Sequence, residues 1–304
     1  MSISNSVVVA TKDRPDDIIN FLDSLNNQTT KPNEIIIVDS SDNPLWKNEN
    51  FLQNFNTKKF PQIKMIYKHT NPGLTFQRNV GIKAASCDVV HFFDDDVILG
   101  KNYLQEINKT FEQNPHYAGG MGDIQNIPHK TNSLNIFLRK LFMLQRIYAN
   151  GKFTPSGMPQ HTYGTSQFKN VEVLGGCLMS YRSWVFKKHL FDETLEKYSY
   201  MEDCDFSRRV SYEHPLFFNP NAKLQHLQSP LSRDKIEANR AMYVKNYSYL
   251  FFKNFYPKNK LKIIAYWWSI IGLFTEALVY RNKAALKGYY KGLKQFYRDK
   301  RPLT

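Results

Sequence analysis

Asp88-Val89-Val90-His91-Phe92-Phe93-Asp94-Asp95-Asp96-Val97-Ile98 is a short apolar run that ends in three adjacent carboxylates. Val89, Val90, Phe92 and Phe93 suit a buried strand, because β-branched and aromatic side chains fit a pleated, covered surface. Three neighbouring acids repel one another, and a strand terminus gains nothing from them. A divalent cation removes that repulsion, and Mg²⁺ or Mn²⁺ takes one or two carboxylates together with phosphate oxygens. In an open α/β sheet, ligands sit beyond the carboxyl ends of the strands, where these acids fall. The alternative for the stretch alone is a solvated acidic turn.

Working outward, the flanking sequence alternates between strand and helix patterns. Ser6-Val7-Val8-Val9-Ala10-Thr11 reads as a strand, and Pro15 opens a helix with Ile18, Ile19, Leu22 and Leu25 on one face. Residues 34–39 are continuously apolar between two acids, as a parallel strand covered on both faces should be. A third strand covers residues 63–67. Asn71-Pro72-Gly73 makes a turn before a helix over 74–85, and a further helix is expected from about Asn102 to Gln113. This alternation predicts a parallel sheet built from right-handed crossovers. No G-x-G-x-x-G follows the first strand and no GxxxxGK[ST] occurs, which argues against dinucleotide and P-loop folds.

With no glycine-rich loop, polar residues at strand ends are left to bind a nucleotide: Thr11, Asp13 and Arg14 after the first strand, Asp39 and Ser41 after the second. An arginine can meet a diphosphate with paired hydrogen bonds, and a carboxylate can accept from a base N–H or a ribose hydroxyl. Each of these is also a common turn or surface residue.

Past Gly119-Gly120-Met121-Gly122 the pattern changes. Residues 134–148 read as an amphipathic helix, and 150–168 as a long loop of the kind that forms lids or binding segments. Residues 171–174 lead into Gly175-Gly176, either a bend or a place where backbone comes close to a ligand. In Tyr200-Met201-Glu202-Asp203-Cys204-Asp205 an acidic pair stands where a helix begins. Acids there can simply complement the helix dipole, or one of them can serve as a general base. His226 ends a strand expected from Ala222 and is either structural or a further metal ligand.

The 304 residues have a globular composition, 42% hydrophobic and 22% charged, enough to bury a sizeable core. The N-terminal residues lack a basic segment and a small-residue cleavage site, so no signal peptide is expected. Cys87, Cys177 and Cys204 are far apart and odd in number, which suits packing residues in a reducing cytosol. Of the net charge of +14, most lies between Lys253 and Arg301, where twelve basic residues face only Glu276 and Asp299. Residues 263–280 are apolar nearly all round except for Glu276, at the lower limit of a membrane span. Lys283, Lys287, Lys291, Lys294 and Arg298 then form a basic helical stripe beside Leu286, Tyr290, Leu293 and Tyr297. Such a helix suits an anionic lipid interface or, alternatively, packs on the rest of the protein with a solvated basic face. No DNA- or RNA-binding motif accompanies the charge, so nucleic acid is not an expected partner.

The order of motifs resembles the inverting family 2 glycosyltransferases of GT-A fold. The matching segments are Val7 through Pro15, Ile36-Ile37-Val38-Asp39-Ser40-Ser41, Gly73-Leu74-Thr75-Phe76-Gln77-Arg78-Asn79-Val80-Gly81, Phe92-Phe93-Asp94-Asp95-Asp96 and Met201-Glu202-Asp203. The resemblance implies a GT-A catalytic domain over residues 1–230. Residues 1–125 would form its nucleotide-sugar half and 126–230 its acceptor half, with a helical, membrane-associating region at 231–304. It also implies roles. Thr11, Asp13, Arg14, Asp39, Ser41, Arg78, Asn79, Asp94 and Asp95 would hold the nucleotide-sugar, and Asp94, Asp96 and His226 a Mn²⁺ or Mg²⁺. Asp203 would be the catalytic base, with Gly175, Gly176 and Glu202 on the acceptor side. The Gln-x-x-Arg-Trp motif of processive synthases is missing after the base, so transfer of one or a few sugars is implied. The expected donor is a UDP-sugar, with a dTDP-sugar such as rhamnose next, and the expected acceptor a glycan or lipid-linked sugar. Together these give a cytoplasmic enzyme, peripheral on the cytoplasmic face of the membrane. A sugar nucleotidyltransferase and a non-catalytic membrane-binding protein on the same scaffold are the competing readings.

Overall fold

A computed structural model of the chain describes residues 3–54, 61–127, 132–145, 150–196, 199–227 and 235–299. Its centre is a nine-stranded sheet. The first four strands are β1 (Asn5–Thr11), β2 (Glu34–Asp39), β3 (Lys64–His69) and β4 (Val89–Asp94). They form the parallel block that the apolar runs predict, ordered β3-β2-β1-β4. Helices α1 (Pro15–Asn26) and α3 (Leu74–Ala84) make crossovers, while α2 (Glu49–Asn54) is a short addition after β2. At Gly81 in α3 a Cβ would collide with the stiff, branched side chain of Val8, so glycine lets this helix lie directly on β1.

The other half of the sheet is mixed. It contains β5 (Val97–Leu99), β6 (Gly119–Ile124), β7 (Lys169–Val171), β8 (Leu178–Arg182) and β9 (Leu216–His226), with α4 (Tyr103–Gln113) packed on β9 and β6. β8 pairs antiparallel with β4 and carries the order on to β6, β9 and β5, while β7 pairs with β9. Strand β6, Gly-Gly-Met-Gly-Asp-Ile, has a poor strand composition because its neighbours fill the space. The rings of Tyr181 and Phe217 lie against Gly119 and Gly120 where side chains would otherwise stand. The strand expected over 171–174 ends at Val171, since the next two N–H groups donate to the Gly151 carbonyl instead of a strand partner.

Helix α5 (Ser133–Leu141) is the amphipathic helix of the sequence and stops at Leu141; the expected continuation over 146–148 lies outside the described residues. Residues 150–168 contain no helix, as expected of a loop, yet Phe153, Thr154, Ser156, Met158 and Thr162 are buried. The loop is held from the C-terminal side: Tyr247 donates to the Ser156 carbonyl at 2.7 Å, and Ser156 Oγ to that of Met143 at 2.9 Å.

The C-terminal region comprises α7 (Ile236–Leu250), continued by a π-helical turn at Phe251–Phe255, then α8 (Lys262–Val279) and α9 (Lys283–Arg298). These helices share a second hydrophobic core with the sheet domain. Tyr247, Phe251, Phe255, Tyr266 and Phe296 meet Leu144, Phe153, Met158, Leu195, Met201 and Cys204. A polar clamp adds to it. Lys253 reaches Asp192 at 2.6 Å and Asp205 at 2.9 Å, and Asn254 donates to Asp205, which lies on α6 (Glu202–Ser211) and is wholly buried.

Burial alone would raise the Asp192 carboxyl, but hydrogen bonds from Lys253, Tyr249 and Thr194 outweigh it and hold it well below the usual carboxylate range. The unfolded carboxyl takes its proton near pH ~4. The contribution of this clamp is therefore complete above that pH and disappears as the solution is acidified through the lower, folded value. Lys253→Met should cost about 1–3 kcal/mol, because Asp192 loses its charged partner and keeps only the hydroxyls of Tyr249 and Thr194, while Asp205 retains Arg209 and Asn254. Asp192→Asn should flatten the acid side of the stability–pH profile. Urea unfolding at several pH values checks both.

Candidate active site

Register places the acids. In the parallel block Ala10 lies opposite Asp94 and Thr11 opposite Asp39, so all the strand-end residues read from the sequence emerge at one edge of the sheet. β5 pairs antiparallel with β9 so that Val97 faces His226, which returns this distant histidine to the acidic triplet. Its Nε2 lies 3.1 Å from Asp96 Oδ1.

The three aspartates face different partners. Asp95 accepts from Thr11 Oγ1 at 2.6 Å and from Arg14 at 3.0 Å, turning toward the end of β1. Burial pushes its carboxyl up to about 7, with Arg14 and Thr11 opposing. Asp94 and Asp96 point the other way. One ligand atom from each, together with one from His226, lie within 4.8 Å of one another. Burial raises the Asp94 carboxyl, Arg78 opposes and Asp96 adds to the rise. Two carboxylates and an imidazole that crowd one another are a donor set a hard divalent cation suits.

The second acidic cluster forms the opposite wall. Met201 adopts a left-handed φ of 72° and turns the chain into α6, whose first residues are Glu202 and Asp203. Asp203 Oδ2 accepts from the Gly176 N–H at 2.8 Å, and Oδ1 from that of Cys204 at 2.7 Å. Arg78 joins the two walls. Its guanidinium donates to Glu202 at 2.5 Å, to the Gly176 carbonyl at 2.8 Å and to Asp94 at 3.3 Å. Glu202 is buried beside Asp203, and both effects push its carboxyl up against the pull of Arg78.

These groups line one cleft of about 820 Å³. Of the residues singled out in the sequence, Thr11, Asp13, Arg14, Arg78, Asp94, Asp95, Asp96, Gly175, Gly176, Glu202, Asp203 and His226 line it. Three do not. Asp39 is 0% exposed, and its carboxylate accepts from the N–H groups of Ser41 and Leu45 and from the Tyr67 hydroxyl. It therefore shapes the turn after β2, and its neighbour Ser40 is the one in the cleft wall. Ser41 accepts from the Asp13 N–H at 2.7 Å and so holds Asp13, whose φ of 54° is left-handed. Asn79 turns away from the cleft, its amide donating to the Phe191 carbonyl and to Glu193. On a helix, Arg78 and Asn79 point about 100° apart, so only one of them can face the acids.

Sequence reasoning missed others. Gln77 lines the cleft while tying the ends of β1 and β2 together through the carbonyls of Thr11 and Val38. His161 and Tyr163, stacked in parallel, enter from the long loop. A His161 nitrogen lies within 4.8 Å of an Asp203 oxygen, and burial lowers the imidazole pKa while Asp203 opposes. At Gly175 it is the Tyr163 hydroxyl that occupies the space of a side chain, and at Gly176 the Glu202–Arg78 pair. The only hint of His161 in the sequence is a histidine in a loop too long to be a mere connection. The three cysteines are free, and burial raises their thiols above the usual range, which suits packing.

An α/β sheet with acids at one strand edge and a second acidic wall across the cleft defines a nucleotide-sugar-binding architecture. Residues 6–190 match the family model "Glycosyl transferase family 2", and the chain belongs to that family. It is 31% identical over 111 residues to an uncharacterized glycosyltransferase of Haemophilus influenzae, covering 36% of this chain and 35% of that protein. It is 26% identical over 158 residues to the uncharacterized glycosyltransferase YwdF of Bacillus subtilis, covering 50% and 56%. The matches thus span between a third and rather more than half of these relatives. Among solved structures, GalNAc-T7 with UDP, GalNAc and Mn²⁺ superposes with a TM-score of 0.61 at 15% identity, covering 99% of this chain and 58% of that one. TarS residues 1–349 of S. aureus superpose with 0.52 at 16% identity, covering 98% and 92%. These likenesses establish the GT-A fold expected from the motifs.

Arg78→Ala should leave Glu202 and Asp94 facing each other uncompensated and cost about 3–5 kcal/mol. Arg78→Lys keeps the charge but not the fork, so it should recover part of the stability. Urea denaturation of both variants is the measurement.

Proposed function

We propose that this chain is an inverting, divalent-cation-dependent glycosyltransferase acting on a nucleotide-sugar donor. One observation carries the reading. Two acidic clusters of different character, one ringed for a cation and one offering a carboxylate, face each other across a single cleft and are bridged by Arg78. Asp94, Asp96 and His226 fit Mn²⁺ or Mg²⁺ by their chemistry and spacing. Such a cation, when bound, neutralises charge developing on a departing diphosphate.

The protein's own groups supply the rest. Arg14, 18% exposed at the cleft wall, is placed to meet a phosphate. Asp203 is oriented by the N–H groups of Gly176 and Cys204, and takes the proton of the acceptor hydroxyl. The acceptor oxygen then bonds to the anomeric carbon from the face opposite the leaving group, the carbon–oxygen bond to the diphosphate breaks, and configuration inverts. His161 and Tyr163 wall the acceptor side.

UDP-sugar is the favoured donor, supported by the UDP and Mn²⁺ of the GalNAc-T7 structure, with a dTDP-sugar such as rhamnose next. Transfer is non-processive, to a glycan or lipid-linked acceptor in surface polysaccharide or lipopolysaccharide assembly. The enzyme works at the cytoplasmic face of an anionic membrane, a reading supported by the basic stripe of α9.

Asp203→Asn should lower transfer by at least about a thousandfold while donor affinity changes little. Asp96→Ala should weaken Mn²⁺-dependent donor binding about tenfold or more in titration calorimetry. Wild-type turnover by Asp203→Asn would remove Asp203 from the mechanism. Release of pyrophosphate rather than a nucleoside diphosphate would replace the whole reading with nucleotidyl transfer.

A further inference from the structure

Helix α8 has the length and apolarity of a membrane span, yet only part of it is open to solvent. Tyr266, Ile270, Leu273 and Ala277 face the second core. One flank meets α5: Gly272 lies against Phe142, the Trp268 indole N–H donates to the Leu141 carbonyl at 2.8 Å, and Glu276 pairs with Arg139 at 2.9 Å and Asn135 at 2.7 Å. The other flank meets α9, where Trp267 stacks on Tyr297 and Phe274 meets Tyr289 edge-on. What remains outside, between α5 and α9, is Ile264, Trp268, Ile271, Thr275 and Leu278.

That outer stripe carries no charge, and its one hydroxyl, on Thr275, is satisfied by the Ile271 carbonyl of its own helix. Ile264 is 70% exposed and Leu278 62%. Next to it, α5 leaves Leu134, Phe137 and Leu141 uncovered at helical spacing, with Phe137 60% exposed. A soluble surface rarely gathers so many large apolar side chains in one place. Beyond the Trp267–Tyr297 pair, α9 exposes Tyr290 together with Lys283, Lys287, Lys291, Lys294 and Arg298. The acids facing this stripe are Glu237, 3.6 Å from Lys291, and Asp299, which Lys245 and Arg298 hold.

We infer that α5 and α8 form a single apolar face that inserts into one leaflet of a membrane, while α9 lays its lysines on the anionic headgroups beside it. The arrangement is monotopic. α8 lies in the interface and does not cross it, because a third of its residues, Tyr266, Ser269, Ile270, Gly272, Leu273 and Ala277, are buried against the rest of the protein. Glu276, the acid that would be costly in lipid, is turned to the α5 flank and neutralised by Arg139. Aromatic rings with a polar tip border the face, as they do at the headgroup level of membranes. A second copy of the chain fits less well, since two basic stripes would meet. The inference rests on the proposed lipid-linked acceptor and deepens it by naming the surface that brings the enzyme to it, in which the amphipathic α5 joins α8 and α9.

The test is flotation with vesicles of phosphatidylcholine alone or mixed with phosphatidylglycerol, paired with tryptophan emission and quenching by bromine-labelled lipid. The wild type should float only with phosphatidylglycerol, weaken with salt, and show quenched, blue-shifted emission, since two of its four tryptophans are on α8. Ile271→Glu with Leu278→Glu should abolish quenching and lower binding by about tenfold or more, as should Phe137→Glu. Lys287→Gln, Lys291→Gln and Lys294→Gln together should lower binding about a hundredfold at low salt. All these positions are exposed, so circular dichroism and release of nucleoside diphosphate from the donor in solution should stay as in wild type. Binding that survives the glutamates would overturn the inserted face. So would a wild type that dimerises without vesicles and becomes monomeric in the glutamate variants. Loss of vesicle binding with intact donor hydrolysis leaves the transferase reading standing; absent hydrolysis with intact binding does the reverse.

Discussion

The cleft depends on one cation, the guanidinium of Arg78, which is 2% exposed and faces acids on both sides. Six carboxylates line this space, from Asp13, Asp94, Asp95, Asp96, Glu202 and Asp203, against the basic groups of Lys12, Arg14 and Arg78. Arg14 is engaged with Asp95 and Asp96 at the β1 end of the cleft, and Lys12 leans outward to Asp42. Among the described residues, Arg78 is the basic side chain that pairs with both the triplet and the later pair. Its planar fork matters as much as its charge: three acceptors in three directions are met at once, which a lysine ammonium on a flexible stem does less well. An excess of acid remains in the cleft, and buried carboxylates are tolerable only when such partners are fixed in place.

Fixing Arg78 is the work of the fold. Its helix lies flat on β1 because Gly81 has no side chain to hold it off Val8, and its neighbour Asn79 is anchored to the segment at Phe191 and Glu193. The two residues therefore divide the labour of one helix turn, one facing the acids and one locking the helix to the segment at residues 191–193. A similar economy governs His226. Nothing in the nearby sequence connects it to Asp96; β9 runs unbroken from Leu216 to His226, shifts register against β6 between Phe218 and Lys223, and then pairs with β5, which carries the histidine there.

The parts that were legible in the sequence are those where local pattern and global role agree. Continuous apolar runs announced the parallel block, and acids at strand ends announced the cleft edge. Asp94, Asp96 and Asp203 could be picked out because like charges placed side by side need a reason. What stayed hidden depended on distant partners. Gly119 and Gly120 form a strand only because Tyr181 and Phe217 fill their empty positions. Asp39 looked like a base-binding carboxylate, but the turn that follows it consumes both of its oxygens. His161 belongs to the cleft because α7 presses its loop inward, a contact that no spacing in residues 150–168 encodes.

That last contact shows why the C-terminal helices are more than an attachment. Helix α6 begins with Asp203 in the cleft and, two residues on, buries Asp205 against Lys253 and Asn254. Side chains two apart on a helix point to roughly opposite sides, ~200° around the axis. One turn of α6 therefore faces the chemistry on one side and the helical layer on the other. The same layer supports the loop that carries His161, through Tyr247 and Ser156. The α6 wall and the His161 loop thus both lean on the helices whose outer surface is apolar and basic. The residues flanking the acidic pair, Met201 and Cys204, thus share one close-packed, aromatic-rich core with the helices that form the outer surface, so the cleft wall and that surface are parts of a single packed unit.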